Sequence, residues 1–440
     1  MPSEEDEMLQ TMGLQTIDDL FTDIPAAVRI PRLDLPDGLP EDAVVSRVTS
    51  MLAANRTVAQ MPTFLGGGLY DHFVPASVRA ITSRSEFYTS YTPYQAELSQ
   101  GMLQALWEYQ SLVCELTGMD AANTSMYDGS TALGEAARMA HRIRSGRTFL
   151  VPRALRHHRR AVLANYLVGT GVQVKEVEYD RESGMLDLGK LREALTDDVC
   201  GIYAENPNFF GRFEEQLEEI RGMTKAVLVV GVNPIAQAVV RPPGDLGADI
   251  AIGEGQPLGT PLNFGGPLLG MFACRQEHIR KMPGRVIGLT RDAEGRRAFC
   301  MTLQTREQHI RREKAMSNIC TNEALLAVAA ASYLSVLGAN GLRRVAAENI
   351  RRAKDLAAAI DRIEGFTAPI FNGAHFNEFV VRTQKPYASV HKSLLERGVH
   401  GGLSLARHLP ELRDSALFAT TGRHTPDAIE RLVKALQEVR

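Results

Sequence analysis

The sequence contains few of the features that mark secreted, metal-binding or membrane proteins. Its 440 residues include only five cysteines, which lie far apart and form no Cys-x-x-Cys pair. This spacing argues against a disulfide scaffold and a zinc site, and it favours a reducing compartment. The acidic first residues lack the basic stretch and apolar run of a signal peptide. No uncharged apolar run reaches the roughly twenty residues that span a bilayer. We therefore expect a cytoplasmic protein with no metal site and no membrane partner.

The composition is that of an ordinary globular protein. Hydrophobic residues make up 44% of the chain and charged residues 23%, and the formal net charge is only -3. Without a basic field the chain has little attraction for nucleic acid, so we expect no nucleic-acid partner. A chain of 440 residues exceeds what one hydrophobic core usually organises. We predict an N-terminal arm over residues 1–90, a large α/β domain over residues 91–335 and a small α+β domain over residues 336–440.

Hydrophobic periodicity predicts the elements of a layered α/β protein. From Leu98 onward, apolar residues recur at spacings of three and four until Gly118, which predicts an amphipathic helix with a glycine cap. Short apolar runs between residues 149 and 272 alternate with helical stretches, which favours a mostly parallel sheet flanked by helices. An alanine-rich helix capped by Thr321, a stop at Gly338 and a second long helix lead into the small C-terminal domain.

Two motifs place glycine, hydroxyl and amide groups after predicted strands, where open α/β sheets bind ligands. Gly129, Ser130 and Thr131 precede a helical run. They either seat a phosphate at a helix N-terminus or form an ordinary glycine turn with a helix cap. Asn206 and Asn208 flank a proline after a strand, so they either reach a bound ring or form a plain Asn-Pro turn.

Five segments carry a resemblance to a known family: Phe64–His72, Ser83–Glu97, Cys114–Asp120, Pro207–Gly211 and Gln304–Lys314. With them almost the whole chain resembles the first subunit of the two-chain glycine cleavage system P-protein, also called glycine dehydrogenase (decarboxylating). The resemblance implies the fold of type I pyridoxal-phosphate enzymes. It also implies a reaction in which glycine loses its carboxyl carbon and its aminomethyl group passes to the lipoyl arm of the H-protein.

The group that holds the cofactor in such enzymes is missing from this chain. A pyridoxal-phosphate enzyme binds its cofactor as an imine on a lysine and uses a carboxylate to keep the ring nitrogen protonated. Counted back from the Gly-Gly-Pro turn at residues 265–267, the position of the sister subunit's lysine is Gln256. Counted from the Pro-Gly-Asp turn that begins at Pro243, it is one residue later, at Pro257. No lysine occurs between Lys225 and Lys281, and residues 227–232, where the ring-nitrogen acid is expected, contain no acid. We therefore expect no covalently bound cofactor here, and pyridoxal phosphate in the partner subunit.

The loop of residues 253–267 is too rich in glycine and proline for a helix or a regular strand. Long structured loops are usually functional or lie at interfaces. An amide cannot form an imine but can donate and accept hydrogen bonds, so Gln256 either orders this loop or meets the partner chain. The resemblance makes Gly265 and Gly266, with the two motifs above, remnants of a cofactor pocket.

A tyrosine-rich segment, residues 83–97, is more polar than a core segment would be. In dimeric enzymes of this fold, residues of one chain complete the site of the other. The candidates to cross into the partner's site are Tyr91, Thr92, Tyr94 and Gln95. A hydrogen-bonded loop within the chain is the alternative.

Arg306 and His309 belong to a basic cluster and are candidates for the subunit interface, with a solvated charged face as the alternative. The function we predict is that of an obligate subunit that pairs with a lysine-bearing sister chain, P-protein subunit 2, in a two-plus-two assembly. That assembly would take glycine as its substrate and lipoylated H-protein as its acceptor. One alternative is a self-sufficient pyridoxal-phosphate enzyme that uses another lysine. A second is a stand-alone scaffold or regulatory pseudoenzyme.

Overall fold

The computed structural model describes residues 3–30, 32–304 and 308–439. The chain forms two compact units, Met1–Thr57 and Val58–Arg440. The predicted boundary between residues 335 and 336 lies inside the second unit, where nothing tests it, so the predicted division into domains stays a prediction.

The first unit contains two helices, α1 (Glu4–Met12) and α2 (Glu41–Leu52). Helix α1 begins at Ser3, whose hydroxyl accepts from the Asp6 N–H, and ends at Gly13 in the left-handed conformation. Among the described residues of this unit, only Leu9 is buried. Its other large apolar side chains are exposed or half-buried, so this unit has almost no core of its own.

The second unit contains most of the secondary structure. Its helices are α3 (Ala76–Thr82), α4 (Ser85–Tyr88), α5 (Gln100–Thr117), α6 (Gly129–Ile143), α7 (His157–Leu167), α8 (Leu188–Ala194), α9 (Leu217–Met223), α10 (Gln308–Arg311), α11 (Ala324–Asp361), α12 (Tyr387–Glu396) and α13 (Pro426–Gln437). Its strands are β1 (Ala121–Ala122), β2 (Thr148–Pro152), β3 (Gln173–Val177), β4 (Val199–Asn206), β5 (Val227–Val232), β6 (Ile250–Glu254), β7 (Gly270–Cys274), β8 (Val286–Arg291), β9 (Arg297–Thr302), β10 (Phe366–Thr367), β11 (Glu378–Thr383), β12 (Leu403–Ser404) and β13 (Ser415–Ala419).

The large sheet has seven strands in the order β1-β7-β6-β5-β4-β2-β3. Strands β2 to β6 pair in parallel, whereas β7 is antiparallel to β6 and β1 is antiparallel to β7. The mostly parallel α/β fold predicted from the sequence is therefore confirmed. In β5, Leu228 and Val230 face one core cluster while Val227 and Val229 face another. Burial on both faces explains why this strand is continuously apolar.

A four-stranded antiparallel sheet, in the order β10-β11-β13-β12, packs with α12 and α13 in the C-terminal part. The hairpin of β8 and β9 forms a separate small sheet beside α5. The amide of Gln110 on α5 holds this hairpin, because it accepts from the Ile287 N–H at 2.8 Å and donates to the Ile287 carbonyl at 3.0 Å.

Helix α11 has the length and apolar composition of a membrane-spanning segment. Its backbone leaves helical geometry at Gly338 (φ 58°, ψ -177°), so it consists of two consecutive helices, as the sequence predicted. Ala327, Val328 and Ala330 are buried in the core of the large domain. These contacts explain why α11 is so apolar: it is a helix of the protein core.

Two predicted positions at helix starts are wrong. Leu98 lies in a turn before α5 and is 80% exposed, because the helix begins only at Gln100. Thr321 does not cap α11, which begins at Ala324 after Glu323. The Glu323 N–H is bound instead by the hydroxyl of Ser125, a contact from a distant loop that local sequence does not reveal.

Candidate functional site

A cleft lies at the carboxyl ends of the parallel strands β4, β5 and β6, where open α/β sheets bind ligands. Glu205 and Glu254 come from the ends of β4 and β6, and Tyr70 comes from a loop that precedes α3. Glu378 at the start of β11 closes the cleft from the small sheet. The empty volume is about 370 Å³, part of it open to solvent.

The N-terminus of α6 meets a carboxylate in this cleft. The Gly129 N–H donates to Oε2 of Glu254 at 2.9 Å, while Oε1 of Glu254 accepts from the N–H groups of Gln256 and Leu269, both at 3.0 Å. Burial raises the pKa of Glu254 to about 7, although these three donors favour its charged form. A carboxylate suits this place because both of its oxygens accept, whereas an amide would turn a donor toward a donor.

A second buried acid in the cleft is paired with an arginine. Arg159 on α7 forms an ion pair with Glu205, and its guanidinium also donates to the Tyr203 hydroxyl at 2.8 Å. The Tyr203 hydroxyl in turn donates to Glu205 at 2.8 Å. All three side chains are buried, and burial raises the pKa of Tyr203. The guanidinium is thus held by groups of the chain itself.

The side chain of Gln256 is completely buried and points at the loop that covers the cleft. Its Oε1 accepts from the Tyr70 N–H at 3.1 Å, and its Nε2 donates to the Tyr70 carbonyl at 3.1 Å and to the Thr260 carbonyl at 2.6 Å. Of the two roles that the sequence left open for Gln256, ordering of its own loop is therefore visible in the structure.

The same loop is tied to the small sheet by Glu378. The Tyr70 hydroxyl donates to Oε2 of Glu378 at 2.6 Å, and the Gly67 N–H donates to Oε1 at 2.5 Å. Arg156 lies 4.0 Å from this carboxylate. Burial raises the pKa of Glu378 and raises that of Tyr70 well above its ordinary value. Gly68 has no room for a side chain, because a Cβ there would overlap the Arg156 guanidinium.

The residues predicted to form cofactor-pocket loops are only partly brought to this cleft. Gly129 and Ser130 are buried in the first turn of α6, and the Thr131 N–H is capped by Oδ1 of Asp128 at 2.8 Å. Gly129 also contacts the cleft acid Glu254, as described above. The α6 start is therefore a capped turn that also bonds to an acid of the cleft.

The amides of Asn206 and Asn208 bond to backbone groups of the chain, and Nδ2 of Asn208 donates to the Gly184 carbonyl at 2.9 Å. Oδ1 of Asn206 accepts from the Glu214 N–H at 3.2 Å, and Oδ1 of Asn208 accepts from the Phe210 N–H at 3.0 Å. Gly265 and Gly266 lie in a surface turn, and neither is among the described residues that line the cleft. The geometry thus favours the turn interpretation for the two asparagines and gives the two glycines no contact with the cleft.

The four residues predicted to cross to a partner differ in their placement. Tyr91 and Tyr94 are 68% and 74% exposed, and Gln95 is exposed as well. Thr92 is buried, and its hydroxyl accepts a hydrogen bond from the Arg285 guanidinium. Thr92 therefore anchors the segment to its own chain, while the other three side chains are available to a partner.

The predicted interface residue Arg306 lies outside the described residues, as does the side chain of His309. Both stay predictions.

The groups in the cleft do not fit a lysine-anchored pyridoxal phosphate. None of the described residues that line it is a lysine, and β5 offers no acid for a ring nitrogen. The α6 N-terminus is already bonded to a carboxylate. Three carboxylates, those of Glu205, Glu254 and Glu378, outnumber two guanidinium groups in the lining.

Sequence reasoning missed several polar residues that line the cleft, namely Tyr70, Arg156, Arg159, Glu205, Glu254 and Glu378, and also Tyr203, which bonds to two of them. One local signal was present, since Glu254 is an acid within a loop otherwise rich in glycine and proline. The ion pair of Arg159 with Glu205 joins residues 46 positions apart and leaves no local pattern.

The fold and the cleft define the class first: this is a chain with the architecture of fold type I pyridoxal-phosphate enzymes. The solved structure of sphingosine-1-phosphate lyase from Burkholderia pseudomallei matches with a TM-score of 0.65 and 14% identity, over 94% of each chain. Glutamate decarboxylase from Lactobacillus brevis matches with a TM-score of 0.66 and 11% identity, over 94% of this chain and 96% of that one. At these identities the likeness concerns the fold alone.

Closer relatives identify the family. A crystal structure of glycine decarboxylase (P-protein) of the glycine cleavage system matches with a TM-score of 0.91 and 39% identity, over 100% of this chain and 99% of that one. The probable glycine dehydrogenase (decarboxylating) subunit 1 of Pyrococcus abyssi is 47% identical, and that of Desulfitobacterium hafniense 44%, each over 99% of this chain and 98% of the relative. The family model of the glycine cleavage system P-protein matches residues 1–436. The chain therefore belongs to the glycine cleavage system P-protein family, and its full-length relatives are of the subunit 1 type.

Proposed function

We propose that this chain is the subunit of a two-chain glycine decarboxylase that does not anchor the cofactor. The observation that carries the proposal is the state of Gln256, which we place at the lysine position from the sequence: it is completely buried and bonded to the Tyr70 backbone. An amide has no nucleophilic amine, so it cannot hold a pyridoxal ring as an imine.

In this proposal the sister chain, P-protein subunit 2, supplies the lysine and binds pyridoxal phosphate. Glycine is decarboxylated in the sister's site, and its aminomethyl group passes to the lipoyl arm of the H-protein. The relatives from Pyrococcus abyssi and Desulfitobacterium hafniense are named as a subunit 1, which supports the existence of such a partner. We further propose a two-plus-two assembly in the cytoplasm, where a reducing environment suits five free cysteines.

The chain's own contribution to the chemistry would come from the tyrosine-rich segment. Tyr91, Tyr94 and Gln95 present polar groups to solvent, while Thr92 holds the backbone between them to Arg285. Pro93 further restricts Thr92 to extended geometry. The segment is held at Thr92, while its other polar side chains are exposed. This arrangement suits a role in completing a neighbouring site, because the donors are already oriented.

The test is reconstitution from separately purified chains. Release of carbon dioxide from carboxyl-labelled glycine would be measured with this chain alone, the sister chain alone and both together, each with lipoylated H-protein. We expect full turnover only from the mixture. Decarboxylation by this chain and H-protein without the sister would refute the proposal and revive a self-sufficient enzyme. Full activity of the sister alone would instead leave this chain as a scaffold.

A further inference from the structure

The N-terminus of α6 already holds a carboxyl group, and that group belongs to the protein. Three backbone N–H groups, from Gly129, Gln256 and Leu269, surround the carboxylate of Glu254 at 2.9 to 3.0 Å. Helix N-termini of this kind are general seats for phosphate groups, because their N–H groups are unpaired and the helix dipole favours negative charge. Here the side chain of Glu254 occupies that binding position.

We propose that Glu254 occupies the position at the α6 N-terminus where a phosphate would bind. The chain's own carboxylate then excludes phosphate esters from this cleft. The proposal concerns the cleft of this chain only. It goes beyond the proposed function, which depends on the lysine of the sister chain and would survive if this inference failed.

Packing around Gly129 supports the exclusion. A Cβ at this position would lie 2.9 Å from Nη2 of Arg159 and 3.2 Å from Cβ of Glu254. The space in front of the first helical turn is therefore taken by these two side chains. A phosphate, with three non-bridging oxygens, is larger than a carboxylate and would have to displace Glu254 before it could reach the Gly129 N–H.

The nearest cationic group, Arg159, is engaged, so it offers a phosphate little compensation. Its guanidinium is bonded to Glu205 and Tyr203, whereas Arg156 lies 4.0 Å from Glu378 and donates to the Tyr70 hydroxyl at 3.3 Å. A phosphate that recruited Arg159 would have to break a buried ion pair and leave Glu205 without its counter-charge. Breaking such buried pairs is unfavourable.

The test uses the purified full-length chain and two probes, inorganic phosphate and pyridoxal 5′-phosphate. Thermal unfolding with and without inorganic phosphate reports binding to the folded state. Equilibrium dialysis reports uptake of pyridoxal phosphate. We expect the unaltered chain to show neither effect. In Glu254→Ala, where the three N–H groups are released, phosphate about tenfold above its dissociation constant should raise the unfolding temperature by about 2 °C.

Two further variants make the result specific. Glu214 is another buried carboxylate that accepts a backbone N–H, from Leu186 at 2.9 Å, but it does not line the cleft. Glu214→Ala should therefore gain no phosphate response. Glu254→Ser, whose hydroxyl can still accept from one N–H, serves if Glu254→Ala does not fold, and it should also gain the response. Phosphate binding by the unaltered chain at α6, seen in a crystal structure, would overturn the inference, as would folded Glu254 variants that respond no more than Glu214→Ala.

Discussion

The side-chain amide of Gln256 bonds the backbone of Tyr70 in both directions, with Oε1 accepting and Nε2 donating at 3.1 Å each. A lysine at this position could donate but could not accept, so it could not reproduce the contact. Gln256, which we place at the lysine position from the sequence, thus holds the loop that contains Tyr70. Tyr70 then extends this link to the small sheet through its hydroxyl bond to Glu378.

Restoring the lysine alone should not restore a cofactor site. We expect Gln256→Lys to lower the free energy of unfolding by about 1–3 kcal/mol, because a buried two-way hydrogen bond is lost. We also expect it to stay colourless with pyridoxal phosphate, because Glu254 still occupies the α6 N-terminus. Urea unfolding and absorption spectra measure the two effects. Gln110→Lys, which breaks a similar amide contact to Ile287, is the matched control for stability. A yellow Gln256→Lys chain would show that the cleft is open to the cofactor.

The hydroxyl of Tyr94 should matter only in the assembled enzyme. We expect Tyr94→Phe to lower turnover of the complex by about tenfold or more, since a lost hydrogen bond to a charged group is worth roughly 1.5–3 kcal/mol. Tyr88 is similarly exposed at 70% and lies in the same segment, so Tyr88→Phe is the control and should leave turnover unchanged. Gel filtration would separate lost catalysis from lost association. Unchanged turnover in Tyr94→Phe, Tyr91→Phe and Gln95→Ala alike would make the chain a scaffold.

The bond between Thr92 and Arg285 should position this segment. Thr92→Val keeps the volume but removes the buried hydroxyl that accepts from Arg285. We expect a several-fold loss of turnover in the complex, because a hydrogen bond to a charged donor contributes about 1.5–3 kcal/mol. Thr92→Ser retains the hydroxyl and should recover most of the activity. Steady-state kinetics of both variants tests this role of the hydroxyl. Equal losses of turnover in the two variants would point to packing of the Thr92 methyl group instead.

The buried acid Glu254 should make stability depend on pH. Burial raises its pKa from 4.5 to about 7 in the folded chain, so the folded state holds a proton that the unfolded chain releases in this range. Raising the pH from below 4.5 through 7 should therefore withdraw stability, by up to about 3 kcal/mol. Glu254→Gln lacks this titration, so its free energy of unfolding should fall less over the same window. Parallel pH profiles for the two chains, from urea unfolding at each pH, would contradict the assignment.

Local sequence was sufficient for the parallel strands of the large sheet, but not for the β8–β9 hairpin or for the cleft. Runs such as residues 227–230 and 249–252 predicted β5 and β6 because a buried parallel strand is continuously apolar, and Gly338 predicted the break in α11 because few other residues adopt its backbone angles. The absence of a lysine could also be read from the sequence, because it depends only on which residue stands at the expected position, Gln256.

The partners of the cleft residues could not be read in the same way. Gln256 and Tyr70 are separated by 186 residues and Tyr70 and Glu378 by 308, and no periodicity encodes such pairs. Thr92 illustrates the same limit, because its polarity suggested a role at the surface while its hydroxyl is bound to a residue 193 positions away. Burial and pairing of polar groups depend on the assembled fold.

The most direct test of the central claim is to locate the cofactor's covalent partner in the assembled enzyme. The complex of this chain with its sister would be loaded with pyridoxal phosphate, reduced with borohydride and digested, and the labelled peptides would be identified by mass spectrometry. We predict the pyridoxyl label on one lysine of the sister chain and no stoichiometric label on this chain, because none of the described residues that line its cleft is a lysine. A stoichiometric label on any lysine of this chain would contradict the account.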